Sequence, residues 1–223
     1  MRMLAIGDIH GCHTALVTLL GAVKPTPADK IIFLGDYIDR GPASRQVIET
    51  LLELKQSSTP VFLRGNHEVM ILEGRADFDT FKTFQSFGGL QTLHSYDAHY
   101  RDDWASLIPN AHWEFLERTE KFFETGTDIF VHGCVYPDID VADQPEDVLF
   151  WETFDQLKPH KSGKRIICGH TPQRSHKPEN VGFGVCLDTA AVYRGWLTCL
   201  DAGSGTYWQA DEKGNTREGR LDS

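Results

Sequence analysis

Three short apolar runs in the first 64 residues each end in a glycine-containing loop, and this repeated pattern restricts the fold more than any other feature of the sequence. The runs are rich in β-branched residues, and amphipathic segments separate them. The pattern predicts strands over residues 2–6, 30–34 and 60–63, with helices over 13–23 and 43–56. Strands joined through helices run parallel with right-handed crossovers, so the chain is expected to begin as a buried parallel sheet.

After the first 64 residues, the sequence pattern first predicts helices and then predicts strands again. Residues 68–122 carry Phe81, Phe84 and Phe87 at helical spacing, which predicts a mainly helical insert, about 69–122, held by packed aromatic side chains. Five further apolar runs follow, and the short turns between them predict an antiparallel second half. These strands are expected over residues 128–131, 164–168, 184–187, 196–200 and 206–209, and the polar tail 211–223 is expected to be frayed.

The length of the chain suits one folded unit. A chain of 223 residues with 40% apolar content can bury one substantial core, so we expect a single domain over residues 1–223. The succession of strands and helices favours an α/β sandwich in which helices flank two central mixed sheets.

The composition argues against several classes of protein. No apolar run approaches the about 20 residues that cross a bilayer, and the stretch after Met1 is too short for a secretory signal, so we expect a cytoplasmic protein without membrane contact. The five cysteines are widely spaced and form no CxxC pair, which indicates buried, reduced thiols. A net charge of -10 argues against sequence-independent binding of nucleic acid but permits a small anionic substrate beside bound cations.

Side chains that bind metals follow five of the predicted strands. The loops read GDIHG at 7–11, GDYIDRG at 35–41 and GNHE at 65–68, and the shorter segments VHG and CGHT occupy 131–133 and 168–171. Loops that follow parallel strands emerge at one edge of the sheet, where open α/β folds bind their ligands. We therefore expect these five loops to form one patch.

The side chains of this patch offer a mixed set of oxygen and nitrogen donors. Such donors suit manganese, with iron, zinc, cobalt or nickel as alternatives, better than they suit calcium. Each loop alone is a weak signal, because a Gly-Asp turn or a histidine at a strand end is usually structural. Five such loops in order favour a metal centre, and their glycines leave room for two divalent ions. The expected ligands are Asp8, His10, Asp36, Asn66, His132 and His170.

These motifs resemble those of the calcineurin-like metallophosphoesterases, and more closely those of the phosphoprotein phosphatase branch, whose signatures GDxHG, GDxxDRG and GNHE are intact here. The resemblance covers residues 3 to about 200, and the insert 69–122 matches no signature. The segments GHTP at 169–172 and LDTA at 187–190 are similar to those of small bacterial phosphatases and symmetrical diadenosine tetraphosphatases. The resemblance implies a four-layer αββα sandwich.

The resemblance also implies a role for each site residue. Asp8, His10 and Asp36 would hold the first metal ion, and Asp36 would bridge to the second, which Asn66, His132 and His170 complete. A water molecule activated between the two ions would attack the phosphate, so no serine or cysteine nucleophile is required. His67 would protonate the leaving group, with Asp39 holding its imidazole, and the planar fork of Arg40 would bind phosphate oxygens.

One departure from the family pattern concerns the substrate. Bacterial relatives often carry a Trp-x-Arg element with a second phosphate-binding arginine, whereas residues 149–153 here read LFWET. Glu152 would repel a highly anionic phosphate chain. Either Arg174 or Arg194 replaces the missing contact, or the site prefers a less charged ester. Asn66 is a further candidate for contact with the substrate.

Three functions follow from these observations. The preferred hypothesis is a phosphatase acting on phosphoserine or phosphothreonine in proteins, with phosphotyrosine and small phosphate esters as further substrates. The first alternative is a symmetrical bis(5'-nucleosyl)-tetraphosphatase, and the second is an inactive scaffold with the same fold. Nothing in the sequence indicates an oligomeric state.

Several nearby residues also have structural interpretations. Arg64 and Glu68 are expected to lock their loop, and Asp39 and Arg40 could pair with each other across a turn. His13 could lie behind the metal ligands or merely begin a helix. The remaining histidines lie outside the motifs and are expected to be structural or solvated: His94, His99, His112, His160 and His176.

Overall fold

Two mixed β-sheets form the centre of the protein in the computed structural model, which describes residues 1–57 and 59–222. The strands are β1 (Met3–Ile6), β2 (Lys30–Phe33), β3 (Val61–Phe62), β4 (Phe122–Glu124), β5 (Asp128–Val131), β6 (Arg165–Cys168), β7 (Glu179–Asn180), β8 (Gly184–Cys186), β9 (Leu197–Asp201), β10 (Thr206–Ala210) and β11 (Thr216–Arg220). The helices are α1 (His13–Val23), α2 (Ser44–Ser57), α3 (Asn66–Gly74), α4 (Phe78–Phe84), α5 (Leu90–Ser95), α6 (Trp104–Leu107), α7 (Asn110–Glu117) and α8 (Glu146–Trp151).

The first sheet has the strand order β11-β10-β9-β1-β2-β3. Strands β1, β2 and β3 pair in parallel, with Met3 opposite Lys30 and Ile32 opposite Val61. The predicted parallel beginning of the chain is therefore confirmed. Helices α1 and α2 supply the crossovers, as their amphipathic patterns indicated, and α1 has the predicted bounds.

The second sheet has the order β4-β5-β6-β8-β7, and it corrects the prediction of an antiparallel second half. Strands β5, β6 and β8 pair in parallel, and antiparallel pairing is found at the two edges and in β9–β11 of the first sheet. The connection from β5 to β6 contains helix α8, so it is a crossover and not a short turn. The edge strands β4 and β7 were not predicted.

The C-terminal tail is not frayed, contrary to the prediction from its polar composition. Residues Thr216–Arg220 form β11, which pairs with β10 along its whole length from Thr206 opposite Arg220 to Ala210 opposite Thr216. An edge strand needs no continuous apolar pattern because much of it faces water, so the composition of the tail gave no strand signal. The last residue of the predicted tail, Ser223, lies outside the described residues.

The two sheets pack face to face and helices cover their outer surfaces. A buried cluster between the sheets joins Ala5, Ile32 and Leu200 of the first sheet to Phe130 and Ile167 of the second. A larger cluster lies between the first sheet and the helices, and a third lies between the second sheet and α8. Strands covered on both faces require nearly continuous apolar runs, which is the pattern of this sequence. The predicted fold class, an α/β sandwich with two mixed sheets, is confirmed.

The segment between β3 and β4 consists of helices α3 to α7. Phe81 and Phe84 pack against Trp104, with the rings of Phe81 and Trp104 centred 4.6 Å apart. Phe87 differs from the prediction of a packed aromatic stripe, because its side chain is 47% exposed. It lies in a π-helical turn, Gln85–Gly89, in which Gly88 has a φ of 109°. This turn changes the helical register, so Phe87 leaves the face that Phe81 and Phe84 share.

Two expectations from composition concern the cysteines and the membrane. All five cysteines are buried and free, as the sequence indicated. Among the described residues, none of the helices combines the length and the apolar character that a membrane crossing requires.

Candidate metal centre

The five predicted loops meet at the carboxyl ends of the parallel strands. The loop after β1 carries Asp8 and His10, and the loop after β2 carries Asp36. Helix α3 begins at Asn66 directly after β3, while His132 and His170 follow β5 and β6 in the second sheet. The side chains of one centre therefore come from both sheets, and the face-to-face packing of the sheets brings them together.

Asp36 lies at the middle of this arrangement. Its Oδ2 is 3.3 Å from Nε2 of His10 and 3.9 Å from Nε2 of His67, and its Oδ1 is 3.4 Å from Nε2 of His132. Donor atoms of His10, Asp36 and His67 all lie within 4.8 Å of one another, and so do those of Asp36, His132 and His170. One carboxylate thus belongs to two adjacent groups of ligand atoms, as a residue that bridges two cations must.

Backbone carbonyls set the tautomers of three histidines. Nδ1 of His10 donates to Ile38 O and Nδ1 of His132 donates to Leu34 O, each at 2.9 Å, while Nε2 of His170 donates to Trp151 O at 3.1 Å. Burial lowers the pKa of all three imidazoles, that of His132 to about 4. Each ring is therefore neutral at pH 7, and its second nitrogen presents a lone pair to the centre.

The lone pairs of His132 and His170 face other acceptors, which tests whether the residues fit a metal. Oδ1 of Asn66 is 3.1 Å from Nε2 of His132 and 3.2 Å from Nδ1 of His170, and the two nitrogens are 3.2 Å apart. Three acceptor atoms at such distances repel one another unless a cation lies among them. The oxygen and nitrogen donors suit a divalent transition metal. The residues present therefore fit a metal pair.

Asp8 is buried beside these two groups but belongs to neither of them. Its carboxylate accepts a hydrogen bond from the backbone N–H of His170 at 3.0 Å. Burial, together with the nearby carboxylates of Asp188 and Asp36, raises the pKa of Asp8 well above its ordinary value. A β-carbon added at Gly169 would lie 2.1 Å from Oδ1 of Asp8, so a glycine is needed there for the two loops to approach.

His67 presents one unpartnered nitrogen to the centre. Its Nδ1 lies 2.6 Å from Oδ2 of Asp39, and its Nε2 is buried with no hydrogen-bond partner among the described residues. Burial lowers the pKa of His67, but the carboxylates of Asp36 and Asp39 outweigh burial and hold this pKa above its ordinary value. Thr92 donates to the other oxygen of Asp39 at 2.6 Å, which fixes the carboxylate against the imidazole.

Arg40 borders the centre on the side of His10. Its Nη1 lies 2.5 Å from Nε2 of His10, and its backbone N–H donates to Gly88 O at 3.0 Å. The carboxylate of Asp39 contacts His67 and Thr92, so the alternative of an Asp39–Arg40 pair across the turn does not describe this structure. The guanidinium of Arg40 is thus available to an anion at the centre.

A protein-family model described as calcineurin-like phosphoesterase matches residues 1–196. The chain belongs to this family. The chain is 30% identical over 139 residues to a protein of Burkholderia thailandensis named symmetrical bis(5'-nucleosyl)-tetraphosphatase. The match covers 62% of this chain, and the chain spans only 44% of the length of that relative.

Solved structures agree with this membership at the level of the fold. A candidate diadenosine tetraphosphatase superposes with a TM-score of 0.66 at 21% identity, covering 98% of this chain and 93% of its own. A cold-active protein tyrosine phosphatase of a psychrophilic Shewanella species gives a TM-score of 0.65 at 15% identity, covering 97% of this chain and 80% of its own. Proteins with different substrates share this architecture, so the fold alone does not select the substrate.

The two further arginines expected at the substrate site of this phosphoesterase differ in position. Arg194 is exposed and lines a cavity together with Arg40. Arg174 is exposed on the loop that follows His170 and does not line that cavity. Glu152 is half-buried and accepts a hydrogen bond from its neighbour Thr153. The structure therefore favours Arg194 over Arg174 as the second arginine near Arg40.

Glu68 and Arg64 lock the GNHE loop of this phosphoesterase, as predicted. The carboxylate of Glu68 accepts backbone N–H groups of Asp36 at 2.8 Å and of Tyr37 and Gly65 at 2.9 Å. The guanidinium of Arg64 donates to Thr119 and to carbonyls at the end of α7. Burial, and next the carboxylate of Asp36, raises the pKa of Glu68 to about 8.

The remaining histidines have structural contacts. His13 begins α1, and its Nε2 lies 3.0 Å from Oγ1 of Thr50. The rings of His94 and His99 stack with centroids 3.8 Å apart on the insert. The others contact neighbouring groups at hydrogen-bond distance: His112 with Tyr96, His160 with Ser162 and Ile139 O, and His176 with Thr189 O.

The sequence interpretation missed three side chains at the centre. Thr92 and Ser44 each contact the backbone N–H of Asp39, at 2.8 and 3.1 Å, and contact each other at 2.9 Å. Asp188 is buried near Asp8, and burial raises its pKa to about 6. The LDTA segment was a visible signal for Asp188. Thr92 had none, because it lies 53 residues from Asp39 in a segment without signatures.

Proposed function

We propose that this phosphoesterase hydrolyses dinucleoside polyphosphates, with the symmetrical tetraphosphate as its substrate. The observation that carries the proposal is the 30% identity with a symmetrical bis(5'-nucleosyl)-tetraphosphatase over 139 residues. This order reverses the preference drawn from the sequence, which placed phosphoproteins first. The presence of Arg40 and Arg194 in the lining of one cavity supports the proposal, since a phosphate chain carries several negative charges to be matched.

The residues that would hold two divalent ions come from the two groups of donors and from Asp8 and Asn66 beside them. Asp8, His10 and Asp36 serve the first ion, and Asp36, Asn66, His132 and His170 serve the second, with Asn66 also facing the substrate. Manganese is the proposed metal, with iron, zinc, cobalt or nickel as alternatives. Bound there, the metal pair lowers the pKa of a water molecule and neutralises phosphate charge.

The side chains of the protein account for the other requirements of hydrolysis. Arg40 binds phosphate oxygens and aligns the scissile bond. A bond forms between the water oxygen and phosphorus as the bond from phosphorus to the leaving oxygen breaks. Nε2 of His67, which is buried without a hydrogen-bond partner among the described residues, donates a proton to the leaving oxygen while Asp39 orients the ring. Symmetrical cleavage yields two nucleoside diphosphates.

A phosphoprotein phosphatase is the second candidate. Glu152 lies in the stretch 149–153, which lacks the additional arginine of bacterial relatives, and a carboxylate there disfavours a long anionic chain. The likeness to a protein tyrosine phosphatase, at 15% identity, concerns the fold alone. A small or peptide-borne phosphate ester carries less charge than a tetraphosphate and would tolerate Glu152.

Turnover of three substrates by the manganese-loaded protein tests these proposals. Diadenosine tetraphosphate, a phosphoserine peptide and an aryl phosphate are compared by kcat/KM, and we expect the dinucleotide to be preferred. His67→Asn should lower kcat about 100- to 10,000-fold while bound metal, measured by elemental analysis, is retained. His94→Asn, on the exposed surface of the insert, is the matched control and should change neither quantity.

The other possible results of these measurements would each select a different function or role. A preference for the phosphopeptide would replace the proposed substrate with the second candidate. Loss of metal in His67→Asn would make His67 a ligand, as its place beside His10 and Asp36 permits, and would end its role as a proton donor. If the wild type neither binds metal nor turns over any of the substrates, the inactive scaffold is the hypothesis that remains.

A further inference from the structure

A cavity of about 260 Å³ lies next to the metal centre. Three segments enclose it: the turn at 40–42 with Cys12, the stretch 191–195 that precedes β9, and the turn at 211–213 between β10 and β11. Only the first of these segments belongs to a sequence motif. The other two come from the C-terminal third of the chain, so the cavity depends on the tertiary structure.

The walls of the cavity combine apolar and cationic groups. Cys12, Pro42, Ala191 and Val192 supply apolar surface. The cationic residues are Arg40, Arg194 and Lys213. A ligand with a planar apolar ring and an attached anionic group matches both features.

The two acidic residues of the cavity are already engaged by protein groups. Oε1 of Glu212 accepts the backbone N–H of Ala15, at 3.5 Å, in the first turn of α1. Asp211 accepts the backbone N–H groups of Lys213 and Asn215 within its own turn, at 3.0 and 2.9 Å. The three cationic residues outnumber these two carboxylates, so the lining of the cavity keeps a net positive charge that suits an anion.

Arg40 connects the cavity to the metal centre. Its Nη1 lies 2.5 Å from Nε2 of His10, while the same residue lines the cavity. Its Cζ lies 5.9 Å from the ring centroid of Tyr193, which is 55% exposed beside Val192 and Arg194. A phosphate chain that starts at the metals and passes Arg40 therefore leads into the cavity.

We propose that this cavity, the Arg194 pocket, binds the nucleoside of one half of the substrate, with Arg40 and Arg194 on the phosphates that precede it. The inference rests on the proposed function, because it names the part of the protein that recognises a nucleotide rather than a bare phosphate. The apolar wall of Val192 contacts the base, and Tyr193 offers a further aromatic face at the rim.

Inhibition of aryl phosphate hydrolysis separates a nucleoside site from phosphate binding at the metals. The probes are ADP and inorganic pyrophosphate, which share a diphosphate and differ by the nucleoside. Val192→Trp fills the pocket, and we expect it to raise the ratio of the ADP inhibition constant to the pyrophosphate inhibition constant about tenfold, the change that about 1.4 kcal/mol produces. Val181→Trp, an equally large change at an exposed position outside the pocket, should leave the ratio at the wild-type value.

Arg194→Gln provides an independent test at an exposed position, where the change does not disturb the core. It should raise the ADP inhibition constant at least about fivefold, because a guanidinium–phosphate contact is lost. An unchanged ratio in Val192→Trp together with an unchanged ADP constant in Arg194→Gln would overturn the pocket. If the wild type fails to cleave diadenosine tetraphosphate but these shifts occur, the proposed function fails and the nucleotide site stands.

If the dinucleotide is cleaved and neither shift occurs, the proposed function stands and the nucleoside is bound elsewhere. The two proposals therefore fail separately. A shift of equal size for ADP and pyrophosphate in Val192→Trp would also count against the pocket, since it would mean that the substitution disturbs the metals and not a nucleoside site.

Discussion

Five of the eleven described non-glycine residues with positive φ lie around the candidate metal centre. Among the described non-glycine residues, His10, Asp36, Asp39, Arg40 and His170 have φ values between 46° and 72°. A left-handed conformation costs a non-glycine residue about 1 kcal/mol or more. Such a conformation persists only where surrounding contacts hold it, and here it turns each side chain towards the centre. The geometry of the centre is therefore maintained by the residues packed behind it.

Glu68 is the residue on which this support depends most. Glu68→Ala would leave the buried N–H groups of Asp36, Tyr37 and Gly65 without their acceptor. Each unsatisfied donor costs about 1–3 kcal/mol, so we expect the free energy of unfolding to fall by about 3 kcal/mol or more, measured by urea denaturation. Glu73→Ala, at an exposed position of the same helix, is the control. A loss below about 1 kcal/mol would show that water satisfies these donors.

At the scale of elements, the helical insert supports the turn at Asp39. Helix α5 supplies Thr92, whose hydroxyl contacts both the backbone N–H and the carboxylate of Asp39. The π-helical turn before α5 supplies Gly88 O, which accepts the N–H of Arg40. A β-carbon on Gly88 would lie 2.8 Å from the nitrogen of Arg40, so this approach requires glycine. The insert therefore positions Asp39 and Arg40, the proposed catalytic groups, although it carries none of the signatures.

Removal of the Thr92 hydroxyl tests this support. Thr92→Val keeps the shape of the side chain but removes the hydrogen bonds to Asp39, so the imidazole of His67 loses its fixed orientation. We expect kcat to fall about 10- to 100-fold with little change in KM, as for other residues that orient a functional group. Thr92→Ser retains the hydroxyl and should restore most of the rate. Equal losses in both variants would assign Thr92 a packing role only.

A second interaction between elements joins the start of β1 to the connection before β2. Asp29 accepts the backbone N–H of Arg2 at 2.9 Å and the guanidinium of Arg2 at 2.7 Å. The hydrogen bond from Arg2 lowers the pKa of Asp29 below its ordinary value. Because the pKa is lower in the folded state, this stabilisation is present above the unfolded value of about 3.9 and is lost as the pH falls through the folded-state value.

The pH dependence of Asp29→Asn checks this assignment. We expect the variant to be less stable than the wild type by about 1–2 kcal/mol at pH 7. The difference should shrink steadily below about pH 4, where the carboxylate of Asp29 begins to be protonated in the unfolded chain while it stays ionised in the folded protein. Thermal or urea unfolding between pH 2 and 8 measures it, and Asp102→Asn, an exposed carboxylate of the insert, is the control. A difference that does not vary with pH would exclude the charge of Asp29 as its cause.

At the scale of the whole molecule, the metal centre joins the two sheets. Asp8 and Asp36 come from the first sheet, and His132 and His170 come from the second. Burial raises the pKa of Asp8 most, and repulsion by the carboxylates of Asp188 and Asp36 raises it further. Cations bound between them would replace this repulsion with attraction across the interface of the sheets. Metal binding should therefore stabilise the fold as well as enable the reaction.

Removal of metal tests this coupling. A chelator should abolish turnover and lower Tm, and manganese at 100 times its Kd should restore both, with a stabilisation of about 2.7 kcal/mol. His132→Ala should remove most of the dependence of Tm on manganese, because the second group of donors loses a ligand. A Tm that is independent of manganese in the wild type would contradict a centre that joins the sheets.

The sequence by itself determined the first half of the first sheet and the convergence of the loops that carry the candidate donor residues. Strands β1 to β3 and helices α1 and α2 follow from local periodicity, because a strand buried on both faces and an amphipathic helix each leave a continuous signal within about ten residues. The donors Asp36 and His132 were recognisable because they stand directly after such strands. Their convergence followed from the parallel direction of those strands.

Tertiary structure alone decided the features that depend on contacts between distant segments. The parallel direction of β5, β6 and β8, the pairing of β11 with β10 and the exposure of Phe87 have no local pattern that distinguishes them. The same holds for the contact of Thr92 with Asp39 across 53 residues of sequence. Local periodicity reports which face of an element is buried, whereas the neighbour that covers this face is chosen by the packing of the complete chain.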